Sequence, residues 1–494
     1  MQPCPAPFNL ADYVLTAGRQ TPDKIALAVL GPARAERWSF ARLEAAIRGM
    51  ATGLLREGFA PGDHLLLRLG NTPDFPIAFL GAITADLIPV PTAEGLTEPE
   101  VTKITNTVSP KAILAYDGVA LPAGFPGPVL TNLSALADNP PADFVRGDPD
   151  RMAYLVFTSG SSGTPKAVAH AHRAVWARRM MWRDWYGLTP EDRLLHAGAF
   201  NWTFTLGTGL LDPWAIGATA LIPKPGTDPA TLPLLLKRHD ATIFAAAPGV
   251  FRKMLSTERP ITLPKLRHAL SAGEKLPEAL RQRWLDATGT TIHEALGMSE
   301  CSTFISGSPT NPAPDGTLGR PQTGRRIAIL NDDGTEAAKG EIGVLAVHRS
   351  DPGLCLGYLT DHGTLDLPLT GDWFLTGDRV AQDVTGAIIY HGRRDDLLTT
   401  GGFRISPLEI EAVFQHAPGV TDCAATAISV KADTDVLALA FTGDAKEEAL
   451  RPLADAALAR YKQPRLYIRQ DTLPRTANGK LNRRALAAAL KGTQ

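Results

Sequence analysis

Two hydrophobic rhythms divide the 494-residue chain. Short apolar runs, KIALAVL (24–30), DHLLLRL (63–69), LIPVPT (87–92) and KAILAYD (111–117), read as strands. Between them, FARLEAAIRGMATGLLREG (40–58) and TPDFPIAFLGAITA (72–85) carry apolar residues at helical spacing. Ser39 stands where a helix N-cap belongs, and Gly58 where a helix stops. The region 231–297 repeats the rhythm: helix LPLLLKRH, strand ATIFAAAP, helix GVFRKMLS, strand LRHALSAG, helix LPEALRQRWLDATG, strand TIHEALG. Such alternation predicts parallel sheets covered by helices on both faces. Residues 317–391 break it with short strands and turn signals (LNDDGT, AKGE, DVTGA), which predicts a smaller β-rich subdomain. Past residue 395, a helix, the strands TDCAATAISV and DVLALAF, the helix EEALRPLADAALARY and the strand RLYIR predict a small α+β unit. The fold class is α/β: a large N-terminal domain (1–394) of parallel α/β sheets plus a β-rich subdomain, then a small α+β C-terminal domain (395–494).

Composition narrows the function classes. With 44% hydrophobic and 20% charged residues the chain is that of a soluble globular protein. A net charge of -1 gives no electrostatic reason to expect nucleic acid or an anionic membrane as partner. Cys4, Cys301, Cys355 and Cys423 lie far apart without metal-ligand spacing and read as reduced thiols. The N-terminus has no basic segment followed by an apolar core, and no apolar run is long enough to span a bilayer, so a cytoplasmic location is expected.

The chemistry concentrates in a few segments. Tyr154 to Lys166, YLVFTSGSSGTPK, is an apolar run followed by a loop of hydroxyls and glycines closed by a lysine. Gly160 and Gly163 let the backbone turn tightly, and successive N–H groups in such a loop form a nest for an anion. Thr158, Ser159, Ser161, Ser162 and Thr164 offer hydroxyls to phosphate oxygens, and Lys166 adds positive charge. The spacing is not that of a Walker loop, which needs four residues between its glycines. Further on, Glu294-Ala295-Leu296-Gly297-Met298-Ser299-Glu300 follows a predicted strand. A hydroxyl and a carboxylate at a strand end can serve a phosphate and its Mg²⁺, or can simply open a helix. Asp378, in WFLTGDRV, is suited to accept both hydroxyls of a ribose, although a Gly-Asp pair is also a common turn. Ser406-Pro407-Leu408-Glu409 has the form of a capping box with proline at the first helical position.

TSGSSGTPK (158–166) resembles the signature loop of the AMP-forming acyl-adenylating superfamily, which contains acyl- and aryl-CoA ligases, peptide-synthetase adenylation domains and luciferases. The segments around 273–274, 294–300, 378, 390–413 and 474–480 match the family's other motifs in order, so the resemblance covers nearly the whole chain. It implies ATP, Mg²⁺ and coenzyme A as cofactors. It places Ser299 at the phosphate-binding hydroxyl, Glu300 at the metal carboxylate, Gly273 and Glu274 with Glu294, Ala295 and Leu296 along the adenine, and Asp378 on the ribose. Leu296 departs from the family, where an aromatic residue usually stacks on the base. Arg393 is similar to the arginine that contacts the nucleotide, Asp395 to the hinge on which the C-terminal domain turns, and Arg404 to a second arginine near the phosphates. Gly401 and Gly402 would let pantetheine pass close to the backbone. Pro474 to Lys480 fits the family's P-x-x-x-x-G-K, whose lysine bridges the substrate carboxylate and the α-phosphate. That makes Lys480, Glu300, Ser299, Lys166 and Arg404 the expected catalytic set.

For the acid, the informative stretch is HAGAFNWTFTLGTGLL (196–211). Amino-acid-activating relatives carry an aspartate after the aromatic; here Asn201 follows Phe200, which argues against an α-amino acid. Trp202 supplies apolar surface, and Ala246 and Ala247 are small enough to leave room for a ring or chain. Phe200-Asn201-Trp202 resembles aryl-CoA ligases of the benzoate type, so an aromatic or medium-chain carboxylic acid is expected. Two other readings stay open: an adenylating enzyme that loads a carrier protein, and a nucleotide-binding regulator without chemistry. A homodimer, and silencing by a lysine acyltransferase acting on Lys480, are further family-level expectations.

Overall fold

A computed structural model describes residues 2–158, 165–256, 261–393, 398–400, 403–431, 434–458, 460–476 and 479–491. Ser159, Gly160, Ser161, Ser162, Gly163, Thr164, Asp395, Gly401 and Gly402, singled out above, lie outside these residues. Arg404 enters as backbone of the strand Phe403–Ile405, paired with Thr399, and its side chain lies outside.

The predicted alternation builds two sheets. Ile25–Leu30, Arg193–His196, Thr219–Pro223, Ile243–Ala246, His268–Ala272 and Ile292–Met298 run parallel in the middle of a nine-stranded sheet. Antiparallel strands close it at both edges. A second, four-stranded sheet containing His64–Arg68, Ile88–Pro91 and Ala112–Ala115 is parallel throughout. Consecutive residues of one parallel strand face opposite layers. Leu194, Ile243, Ala245, Leu270 and Ala272 thus pack with Trp185 and Phe204, whereas Leu195, Phe244, Ala246 and Ala269 pack with Phe251 and Trp284.

The helix Phe40–Arg56 begins as predicted: the Ser39 hydroxyl accepts from Arg42 N at 3.3 Å. The helix Pro407–Phe414 also starts where its sequence indicates, but the capping box does not form. The Ser406 hydroxyl donates instead to the His391 carbonyl at 3.0 Å, tying this helix to the strand before it, and Glu409 pairs with Lys462. A complete capping box occurs at Thr97 and Glu100.

Within the expected β-rich region, Ile327–Leu330, Gly343–His348, Trp373–Gln382 and Ile388–Arg393 form a four-stranded antiparallel sheet, while Gly357–Leu359 and Leu365–Asp366 join the sheet of Met152–Thr158 and Lys166–Ala171. In the C-terminal domain Val420–Lys431, Thr434–Gly443 and Leu466–Arg469 form a three-stranded sheet, packed by Pro407–Phe414 and Glu447–Ala457 on one face and by Arg483–Lys491 on the other. No helix among the described residues is long and apolar enough to cross a membrane.

Candidate active site

The glycine-serine loop joins two antiparallel strands. Thr158 ends Met152–Thr158, Lys166 opens Lys166–Ala171, and the two are direct cross-strand partners. Both ends of the predicted phosphate loop are therefore fixed side by side on a buried hairpin. The same sheet continues into Gly357–Leu359, which brings Tyr358 beside Lys166. The Lys166 ammonium lies 4.7 Å from the Tyr358 ring centroid, and the Tyr358 hydroxyl donates to Glu300 Oε1 at 2.8 Å. Burial, then the Glu300 charge, push the Tyr358 phenol far above its ordinary range, so it stays a donor. Nothing in the sequence flagged Tyr358, because its partner is 58 residues away.

Ser299 and Glu300 follow the end of Ile292–Met298, at the carboxyl side of the parallel strands. Their backbone is pinned twice: Cys355 N donates to the Glu300 carbonyl at 2.7 Å, and His170 Nε2 lies 2.8 Å from the Ser299 carbonyl. Burial lowers the His170 pKa to about 4, so the ring is neutral near pH 7 and Nε2 carries the proton. Among the described residues no cluster of three His, Cys, Asp or Glu side chains could hold a metal. A lone carboxylate such as Glu300 fits Mg²⁺, which takes one or two carboxylates and completes its shell with water and phosphate oxygens.

Asp378 is buried between Tyr390, whose hydroxyl donates to Oδ1 at 3.1 Å, and Thr376, whose hydroxyl accepts from the Asp378 amide at 3.1 Å. Arg393 is the cross-strand partner of Asp378 and donates to the Thr376 carbonyl at 3.3 Å. Lys480 reaches this ground from the C-terminal domain. Its ammonium stands 5.9 Å from the Trp202 ring centroid, and it shares a cleft with Trp202, Gly273, Met298 and Ser299. Lys480 is exposed as a residue, although protein atoms surround its ammonium. Desolvation lowers its pKa; Arg393 acts the same way, and Glu274, Asp378 and Glu300 oppose.

The cleft holds about 350 Å³ of unfilled space, counted out to its open mouth. Trp202 and Phe204, edge to face at 5.1 Å, supply its aromatic wall, while Ala272, Gly273 and Gly297 supply the flat one. Gly273 has φ +99°, and a β-carbon there would lie 2.5 Å from the Trp202 ring. Thr203, Ser302 and Thr303 add hydroxyls. Thr203, Ser299 and Ser302 also line an adjoining cavity with Tyr154, His170 and Arg178. There Arg178 is buried against Asp212 at 2.6 Å and bonds Ser302, so its charge is compensated inside the fold.

Four of the expected site residues have side chains placed elsewhere or committed to other partners. Phe200 does not face the cleft; it is buried in the first core and stacks on Phe75 at 5.0 Å, with its amide donating to Asn71 at 2.9 Å. Ala246 belongs to the opposite face of the sheet, since alternation gives the cleft face to Ala245. The Glu294 carboxylate is buried and taken up by Leu276 N at 2.8 Å, Arg281 at 3.1 Å and Lys275 at 3.4 Å, so it is a structural anchor. The Glu274 carboxylate is held by Arg252 at 3.1 Å and Arg475 at 3.3 Å. Asn201 is half-buried beside Trp202, and Ala247, which is buried, directly precedes the helix Pro248–Met254. Ala295 packs in the layer containing Phe204, and Leu296 against the core of the β-rich unit.

Comparison with known proteins fits this arrangement. The family model described as AMP-binding enzyme matches residues 15–359, and that of the AMP-binding enzyme C-terminal domain matches residues 409–480. A benzoate–CoA ligase of Thauera aromatica is 29% identical, with 87% of both chains covered. A 4-hydroxybenzoate–CoA/benzoate–CoA ligase of Rhodopseudomonas palustris is 30% identical, covering 90% of this chain and 88% of its own. The crystal structure of an anthranilate CoA ligase in complex with anthranoyl-AMP has the same fold, with a TM-score of 0.89 at 24% identity, covering 99% of this chain and 98% of that one. With two models matched on either side of one cleft and ligases aligned along most of their length, the chain belongs to the AMP-binding enzyme family, in its AMP-forming acyl/aryl-CoA ligase branch.

Proposed function

We propose that the protein activates an aromatic acid, or a medium-chain acid of similar girth, with ATP and transfers the acyl group to coenzyme A. The observation that carries this reading is the meeting of Lys480 with Ser299 and the Trp202 wall in one cleft, with the Glu300 charge near enough to act on the Lys480 ammonium. A carboxylate oxygen of the acid attacks the α-phosphorus of ATP; the bond to the bridging oxygen breaks and pyrophosphate leaves. The ionised carboxylate needs no general base. The step requires alignment and charge neutralisation. Lys480 bridges the carboxylate and the α-phosphate, Ser299 and the loop from Thr158 to Lys166 hold the other phosphates, and Asp378 and Arg393 hold the nucleoside. Mg²⁺ on Glu300 would neutralise phosphate charge. Tyr358 orients Glu300 and covers Lys166, which keeps both groups aimed without adding charge. The thiol of coenzyme A then attacks the acyl carbon and AMP leaves, with Arg404, Gly401 and Gly402 on the entering side and Asp395 as hinge.

The cleft supports the choice of acid. Its lining is mostly apolar: Trp202, which packs on Gly273, with Phe204, Ala272 and Met298. That lining suits a flat ring or a chain, and among the described residues no carboxylate lines the cleft to pair with an α-ammonium. The test is coenzyme A-dependent release of AMP and pyrophosphate over acetate, hexanoate, octanoate, benzoate, hydroxy- and aminobenzoates, phenylacetate and amino acids, with Lys480→Ala as control. Release with an aromatic or medium-chain acid, lost in the control, is expected. Turnover of acetate alone would overturn the substrate class. Pyrophosphate release without coenzyme A consumption would point to a carrier protein, and ATP binding without release to a regulator.

A further inference from the structure

Arg475 lies five residues before Lys480 in the same hairpin, and its guanidinium touches three separate parts of the molecule. Nη1 reaches Glu274 of the large domain at 3.3 Å, Nη2 reaches Asp422 of the small domain at 2.7 Å, and Nη1 also donates to the Gly479 carbonyl at 2.8 Å. Glu274 is held in turn by Arg252 at 3.1 Å. The hairpin is closed by backbone bonds from Thr476 N to the Lys480 carbonyl at 2.7 Å and from Gly479 N to the Thr476 carbonyl at 2.8 Å. Gly479 approaches the start of Pro248–Met254, where a β-carbon on Gly249 would stand 3.9 Å from the Gly479 carbonyl oxygen.

We infer that Arg475 is the positioning residue for Lys480 in the adenylate-forming step. A lysine on a glycine turn has four rotatable side-chain bonds and a mobile backbone, so its ammonium cannot be aimed from its own stem. Arg475 removes that freedom at the backbone, because its fork fixes the carbonyl adjoining Lys480 while gripping carboxylates on both domains. A guanidinium can make these contacts at once; an ammonium, a point charge, cannot hold the same fork geometry. Both pairs with Arg475 are partly buried, which limits screening by salt. Since Glu274 is the only one of the three acceptors on the large domain, it defines where the hairpin docks. The clamp therefore serves the docked arrangement alone, and thioester formation, in which the lysine takes no part, does not depend on it.

The kinetic arm of the test rests on the ligase reading above; a second arm does not. Acid-dependent exchange of pyrophosphate into ATP reports adenylation, with benzoate first and then the best acid of the panel. Conversion of the synthetic acyl-adenylate to acyl-CoA reports the second step. Arg475→Ala is expected to lose about tenfold or more in exchange, as small misplacements of a catalytic group do. Its conversion of preformed adenylate should stay within about twofold. Arg475→Lys should recover only part of the exchange, and Glu274→Gln, which leaves the hairpin's own contacts intact, should lower exchange in the same direction. In the apoprotein, amide hydrogen exchange of residues 475–481 should speed up about tenfold in both Arg475→Ala and Glu274→Gln. Equal losses in both half-reactions, or unchanged hairpin exchange, would overturn the inference. A wild type silent in both half-reactions would overturn the ligase reading instead, and amide exchange would still decide the clamp.

Discussion

Four buried histidines make the large domain sensitive to acid. Burial lowers His170 and His268 to about 4, and His196 and His293 to about 3, from an ordinary 6.5. Arginines contribute to all four shifts: Arg178 to those of His170 and His196, Arg267 to that of His268 and Arg281 to that of His293, whose ring lies 5.5 Å from His268. The sign follows from proton counting. Below pH 6.5 the unfolded chain protonates these rings while the native one does not, so the unfolded state binds more protons and stability is lost as the pH falls. At pH 5 each ring contributes a loss of about 2 kcal/mol, set almost wholly by the unfolded pKa. Four together approach about 8 kcal/mol, comparable with the whole stability of a typical domain. His196 isolates the effect, since among the described residues neither ring nitrogen has a hydrogen-bond partner, and its ring packs on Phe204 at 4.4 Å. His196→Leu removes one titrating group without stranding a partner. The expected result is unchanged or slightly higher stability at pH 7 and a shallower decline below pH 6.5, by about 1.4 kcal/mol per pH unit. Urea unfolding of wild type and variant at half-unit steps from pH 7.5 to 5 measures it. Parallel curves for the two proteins would refute the burial of a neutral His196.

Three further outcomes follow from the same contacts. Tyr358→Phe removes the hydroxyl from Glu300 and leaves the ring over Lys166, so the Mg²⁺ concentration for half-maximal pyrophosphate release should rise several-fold with little change in thermal stability; an unchanged Mg²⁺ dependence would count against the orienting role. Gly273→Ala forces a positive φ on a side chain and drives its methyl into Trp202, which should cost about 2–4 kcal/mol in unfolding and raise the KM for the acid; wild-type values of both would contradict the packing. Asp212→Asn leaves the buried Arg178 charge uncompensated and should cost about 3–5 kcal/mol by denaturant titration, whereas a loss below 1 kcal/mol would show that the charge finds another partner.

What the sequence made legible was chemistry carried by neighbours along the chain. The strand into Thr158, the start of the helix after Ser39 and the Ser299-Glu300 step at a strand end need only local pattern, and all stand where the pattern puts them. Side-chain direction was harder. Phe200 and Trp202 are two residues apart at the start of an irregular turn, and no periodicity says that one enters the core while the other walls the cleft. Ala246 lies in the layer opposite to Ala245, and three alanines in a row hide the alternation that decides which side each takes. Ser406 has the residues of a capping box, yet its hydroxyl found the His391 carbonyl, a partner that exists only once two strands and a helix have met. Glu294 and Glu274 carry motif positions whose carboxylates are committed to arginines brought in by other elements. Groups that orient rather than react are the ones pattern misses, since they work through contacts between distant segments. Tyr358 acts across 58 residues and Arg475 across 201, so each becomes visible only when the fold is built.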